Sequence, residues 1–132
     1  GCLTVLEDHH AFPGAPHSLK MACGENPKRV YGSRRQSPAT RMGNMAGYRS
    51  AWIDAVEYTD GMSETNEDRH PKRDLALDTL MGVLNGEILV QNHCYRADEM
   101  AMMIELSKEF DYKITAFHHA VEAYKIADLL AD

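Results

Sequence analysis

Two histidines carry the most chemistry in this sequence, because each closes a short apolar run: Glu87-Ile-Leu-Val-Gln-Asn-His93 and Lys113-Ile-Thr-Ala-Phe-His118-His119. Imidazole is the commonest metal ligand among side chains and the one whose charge changes nearest neutral pH. A pair brought together would bind a divalent ion or move a proton. Two ligands do not close a metal site, however, since zinc takes three or four from the protein. Asp8-His9-His10 offers further donors, yet neighbours on an extended chain point to opposite sides and seldom serve one ion. Lys20 lies within the apolar run Leu19–Cys23, where an ammonium is costly unless paired or chemically altered. Cys94 directly follows His93, and a small buried residue fits that position better than a nucleophile does.

What must position the two histidines is legible between them. From Arg96 to Phe110 the apolar residues Met100, Met103, Ile104 and Leu106 recur at helical spacing, with Asp98 and Glu99 at the start and Lys108 near the end, the charge order that suits a helix macrodipole. Strand, helix and strand joined by one crossover helix form a βαβ unit whose strands run parallel, so His93 and His119 should emerge at the same end of a sheet. Earlier in the chain, Leu19–Cys23 reads as a buried strand closed by Gly24, followed by a polar loop from Lys28 to Pro38. Thr40 can cap a helix running from Arg41 to about Tyr58, with a stripe of Met45, Tyr48, Trp52, Ala55 and Val56. Thr59 to His70 is acidic and reads as an exposed insertion. A second helix begins at Pro71 and ends at Asn85-Gly86, and a closing helix spans Val121 to Leu130. Leu3 to Leu6 could add a short edge strand. Three parallel strands are thus expected near 19–23, 87–92 and 113–117, each followed by helix: an α/β chain of consecutive β/α units.

Composition limits the alternatives. At 132 residues and 44% apolar content the chain amounts to one domain with a real core. Its net charge of -6 provides no basic face for a phosphate backbone, which argues against nucleic acid and anionic membranes as partners. No apolar stretch approaches the roughly 20 residues that span a bilayer, and no targeting segment is evident, so the default expectation is a cytoplasmic protein. Cys2, Cys23 and Cys94 are an odd number at wide spacing and are expected to be free thiols.

Four stretches resemble a known family, in the right order: Leu19–Gly32 (LKMACGENPKRVYG), Ala39–Arg49 (ATRMGNMAGYR), His93–Met100 (HCYRADEM) and Phe117–Asp128 (FHHAVEAYKIAD). They are similar to the imidazolonepropionase-related branch of the metal-dependent amidohydrolases, with a match running from about Pro13 to the end. The resemblance implies three consecutive β/α units of a TIM-type (β/α)8 barrel, strands four to six, as a single partial catalytic domain. Ligands in such a barrel sit at the carboxyl ends of the strands. His93 then matches the ligand after the fifth strand and His119 the one after the sixth. Lys20 falls where many relatives place a lysine carboxylated on its amine, which would bridge two metals and remove the cost of burying it. The implied cofactor is one or two divalent ions, zinc first, with Glu122 and Asp98 holding the ligand imidazoles from behind. His118, Tyr95, Arg96 and Arg41 stand where they could contact a small amide or cyclic-amide substrate.

The departures from the family are equally specific. A complete barrel takes about 250 residues, and neither the family's first-strand His-x-His pair nor the aspartate after its last strand is present here. A slice with two open sheet edges would need a homo-oligomeric partner or the remainder of a longer chain. Two readings follow: the middle of a hydrolase cleaving an amide-type C–N bond with a metal-activated water, or a non-catalytic, oligomerising remnant with at most residual metal binding.

Overall fold

In the computed structural model, which describes residues 6–7, 10–11, 14–24, 27, 29, 33–34 and 40–131, the apolar runs become strands and the periodic stretches helices. In chain order these are β1 (Leu6–Glu7), β2 (His10–Ala11), β3 (Ser18–Ala22), α1 (Arg41–Met62), α2 (Leu75–Leu84), β4 (Leu89–Cys94), α3 (Ala97–Glu109), β5 (Ile114–His119) and α4 (Ala127–Ala131), with 3-10 turns at Glu67–Arg69 and Ala123–Ile126. β1 and β2 pair antiparallel, while β3, β4 and β5 form a parallel sheet in that order. The mixed α/β architecture with a three-stranded parallel sheet is the one expected from the pattern of periods. Among the described residues no helix is long and apolar enough to cross a membrane.

The two faces of the sheet differ because strand side chains alternate. Leu19, Met21 and Cys23, then Val90 and Cys94, join Trp52 and Ala55 of α1, Val83 of α2 and Met100, Met103 and Leu106 of α3 in one core. Trp52 is the centre of its outer part, stacked on Tyr112 at 4.3 Å between ring centres and on Phe110 at 6.4 Å. Lys20, Gln91 and His93 take the opposite parity. Lys20 is exposed there, so the burial cost expected for it does not arise. The β4–β5 register slips between Val90 and Gln91, which pair with Ile114 and Ala116. As a result Phe117 joins the core, and His118 stands opposite His93.

Element ends differ from expectation for identifiable reasons. Thr40 does cap α1, its Oγ1 accepting from the Gly43 N–H at 2.9 Å. The helix nevertheless continues to Met62, where the Ser63 N–H closes onto the Thr59 and Asp60 carbonyls, so the expected insertion begins four residues late. The second helix starts at Leu75 rather than at Pro71, because the Asp74 carboxylate accepts from Ala76 and Leu77 N–H and is the stronger cap. Its end at Asn85-Gly86 is as expected, with Gly86 left-handed at φ 77°. The closing helix is short, since Ala123–Ile126 winds as 3-10 before α4. Of the expected Leu3–Leu6 strand only Leu6 lies among the described residues, and it begins β1. Cys2, Asp8, His9 and most of the Lys28–Pro38 loop lie outside the described residues.

The free-thiol expectation is overturned for two cysteines. Cys23 and Cys94 are joined as a disulfide across 71 residues, their Cα atoms 5.4 Å apart. That separation falls within the ordinary disulfide range. Parallel pairing brings the ends of β3 and β4 together with both side chains on the core side, which no spacing in the sequence could announce. Thiol titration of the denatured, unreduced chain should therefore give one thiol per chain, and reduction should lower the unfolding free energy by about 2–4 kcal/mol. Three thiols would restore the expectation from sequence.

Candidate metal centre

The carboxyl ends of β4 and β5 bring His93 and His119 together. Strand alternation alone would send them to opposite faces, since His119 pairs in register with Cys94 and His118 with His93. The backbone resolves this: His119 adopts φ 67° and Ala120 φ 40°, both left-handed and neither a glycine. Such conformations cost of order 1–3 kcal/mol each and persist only where the surroundings enforce them. The turn swings the His119 ring onto His93, where the two rings meet edge to face with centres 4.6 Å apart. Tyr95 completes the group, its ring 4.8 Å from His93 and 5.5 Å from His119.

The electrostatics keep His93 neutral. It is 7% exposed, and burial above all, with the neighbouring His119, then Lys20 and His118, holds its imidazole below the usual histidine value. A neutral imidazole presents the lone pair that a metal needs. His118 is differently employed: its Nε2–H donates to Gln91 Oε1 at 3.0 Å. Gln91 was not anticipated from sequence. Its signal was there, a polar pair with Asn92 interrupting the apolar run Ile88–Val90.

The residues expected to hold the imidazoles from behind do not do so. Asp98 gives both oxygens to Arg96, at 2.9 and 2.8 Å. Glu122 accepts from the Ala97 N–H at 3.0 Å and from Lys125 Nζ at 2.7 Å. Arg96 is thereby occupied at the surface, and Arg41 reaches Glu99 Oε1 at 2.5 Å. Glu99, expected only as a helix-start charge, is 3% exposed. It is instead a buried carboxylate lying against Gly24, whose left-handed φ of 77° and missing Cβ give it room. Lys20 shares the open face with His93 and is near enough to influence it electrostatically. Among the described residues no group of three or more His, Cys, Asp or Glu side chains converges as a metal site. What the structure brings together is a pair of imidazoles with an aromatic wall.

The separation of the rings is that of a pair able to share an ion: with Zn–N bonds of about 2.0–2.1 Å, two imidazoles on one tetrahedral ion have ring centres roughly 5 Å apart, against 4.6 Å here.

Comparison with known proteins gives two informative matches. No family model matches the chain. In a 122-residue alignment that covers 85% of the chain, it is 37% identical to amidohydrolase tasK of Hapsidospora irregularis, of which it spans 12%. The crystal structure of an amidohydrolase from Thermotoga maritima MSB8 matches with a TM-score of 0.79 and 38% identity, over 88% of this chain and 30% of that one. Both likenesses support the amidohydrolase superfamily.

The depressed His93 pKa has a consequence for stability. The unfolded chain protonates this histidine near pH 6.5, before the folded chain does. The stability that neutral His93 contributes is therefore complete above that pH and is lost as pH falls toward the folded value. Urea unfolding at pH 7.5 and 5.5 should show a drop at the lower pH that His93→Gln makes shallower. An unchanged slope in the variant would contradict the assignment.

Proposed function

We propose that this chain is a segment of a metal-dependent amidohydrolase of the imidazolonepropionase-related branch, formed by the fourth to sixth β/α units of a (β/α)8 barrel. In this reading His93 and His119 are two ligands of a divalent ion, zinc first, in an enzyme that hydrolyses an amide or cyclic-amide C–N bond. One observation carries the reading: two imidazoles meet at the carboxyl ends of adjacent parallel strands, in a chain 38% identical to a solved amidohydrolase. Barrel enzymes place their chemistry at that end of the strands.

A divalent ion there would supply Lewis acidity, lowering the pKa of a water and polarising the scissile carbonyl. The chain's own residues do the rest of what this segment contributes. His93 and His119 offer nitrogen donors, the first kept neutral chiefly by burial. Tyr95 packs on both rings, limits their rotation and screens one side of the pair from water. His118, oriented by Gln91, presents Nδ1 at the next strand position and is placed to meet a substrate donor. Lys20, exposed on the same face, is available for carboxylation, and its carbamate would then offer oxygen donors to a divalent ion. The remaining ligands and the aspartate that shuttles protons would come from the rest of the barrel, in keeping with a chain that spans 12% and 30% of the two amidohydrolases named above.

Competition titration with a chromophoric zinc chelator tests the reading. The wild-type chain should bind one equivalent of zinc, and His93→Ala and His119→Ala should each weaken binding at least 100-fold. Binding that neither substitution affects, or no binding by the wild type, would refute it.

A further inference from the structure

The loops that carry the two histidines are tied to each other, and the tie centres on Glu122. After β5 the chain folds back on the segment after β4: the Ala120 N–H donates to the Cys94 carbonyl at 2.9 Å and the Glu122 N–H to the Tyr95 carbonyl at 3.1 Å. The Glu122 side chain adds a third link. Its Oε2 accepts from the N–H of Ala97, the first residue of α3, at 3.0 Å, while Lys125 Nζ holds Oε1 at 2.7 Å. α3 needs this, because its own N-cap residue, Arg96, makes no side-chain capping bond. The first N–H groups of a helix have no partner within it and are usually met by a short polar side chain at the cap. Here the cap comes from a residue 25 positions away, beyond the next strand.

These three links fasten the chain at and just after the left-handed turn His119–Ala120. We propose that Glu122 is a positioning residue: by clamping the start of α3 to the segment after β5, its carboxylate enforces that turn and so keeps the His119 ring on His93. Without the clamp, the strain at His119 and Ala120 favours relaxation of both to negative φ, which by strand alternation carries His119 away from His93. The functional weight of the clamp rests on the metal reading above. Its geometry does not, because it is made by protein groups alone.

The test is a nuclear Overhauser contact between the ring protons of His93 and His119 in the metal-free chain, whose ring centres are 4.6 Å apart. The wild type should show it and Glu122→Ala should lose it. Glu122→Gln should keep it, because the amide oxygen can still accept from Ala97. The Trp52–Tyr112 contact serves as the control for an intact fold and should persist throughout. Ala97→Pro removes the donor instead of the acceptor and decides the matter if Glu122→Ala does not fold. Proline is tolerated at the first helical position, and Arg96, at φ -89° and ψ 147°, already has the backbone that a residue before proline prefers. This variant too should lose the histidine contact. Retention of the contact in either Glu122→Ala or Ala97→Pro, or its absence from the wild type, overturns the proposal. Zinc affinity should fall 10- to 100-fold in Glu122→Ala. A wild type that binds no zinc would refute the metal reading alone, since the ring contact decides the clamp separately.

Discussion

Everything at the candidate centre depends on the parallel pairing of β4 with β5. Two strands joined by a single helix can lie side by side only if the chain returns to the same end of the sheet before starting the second, and the connection is then right-handed almost without exception. That return path sets His93 and His119 at one end, 26 residues apart in sequence and in ring contact in space. The one-residue slip in the ladder refines the arrangement. It seats Phe117 in the core and leaves His118 opposite His93, so three histidines gather where strict pairing would have admitted two.

The sheet divides its work between its faces. The helix side holds the aromatic stack of Trp52, Phe110 and Tyr112 and the buried methionines of α3, which make the strand ends a firm base. Further polar ties fix what lies above. Glu99 joins α3 to the start of α1 through Arg41, fitting against Gly24 where the chain leaves β3. Tyr48 donates its hydroxyl to the Ala22 carbonyl beside the same turn. Left-handed residues at His119 and Ala120 are tolerated on that base, and strain of this kind gathers at sites where geometry serves function.

How much of this the sequence disclosed follows from the range of each interaction. Strands and helices were legible because period and length are local: alternating or apolar runs of about six residues, helical spacing in Met100, Met103, Ile104 and Leu106, and Asn85-Gly86 as a stop. The strand-end position of His93 and His119 followed from topology once those elements were set. The left-handed turn did not, because histidine has no strong preference that announces it. Cys23 and Cys94 looked like isolated thiols, since their meeting depends on two adjacent strand ends. Lys20 was assigned to a buried strand, whereas alternation puts it on the polar face. Glu99 and Glu122 illustrate the limit most plainly: neighbourhood suggests a helix-start charge and an imidazole partner, while Arg41, which Glu99 meets, lies 58 residues away and the Ala97 N–H, which Glu122 caps, lies 25 away.

The central proposal is that His93 and His119, in ring contact at the strand ends, share a divalent ion. Zinc K-edge X-ray absorption on the chain loaded with one equivalent of zinc tests it most directly. The account predicts two imidazole groups in the first shell, at about 2.0–2.1 Å with the outer-shell pattern of the rings. One imidazole, or a shell of oxygen and sulfur alone, would contradict it.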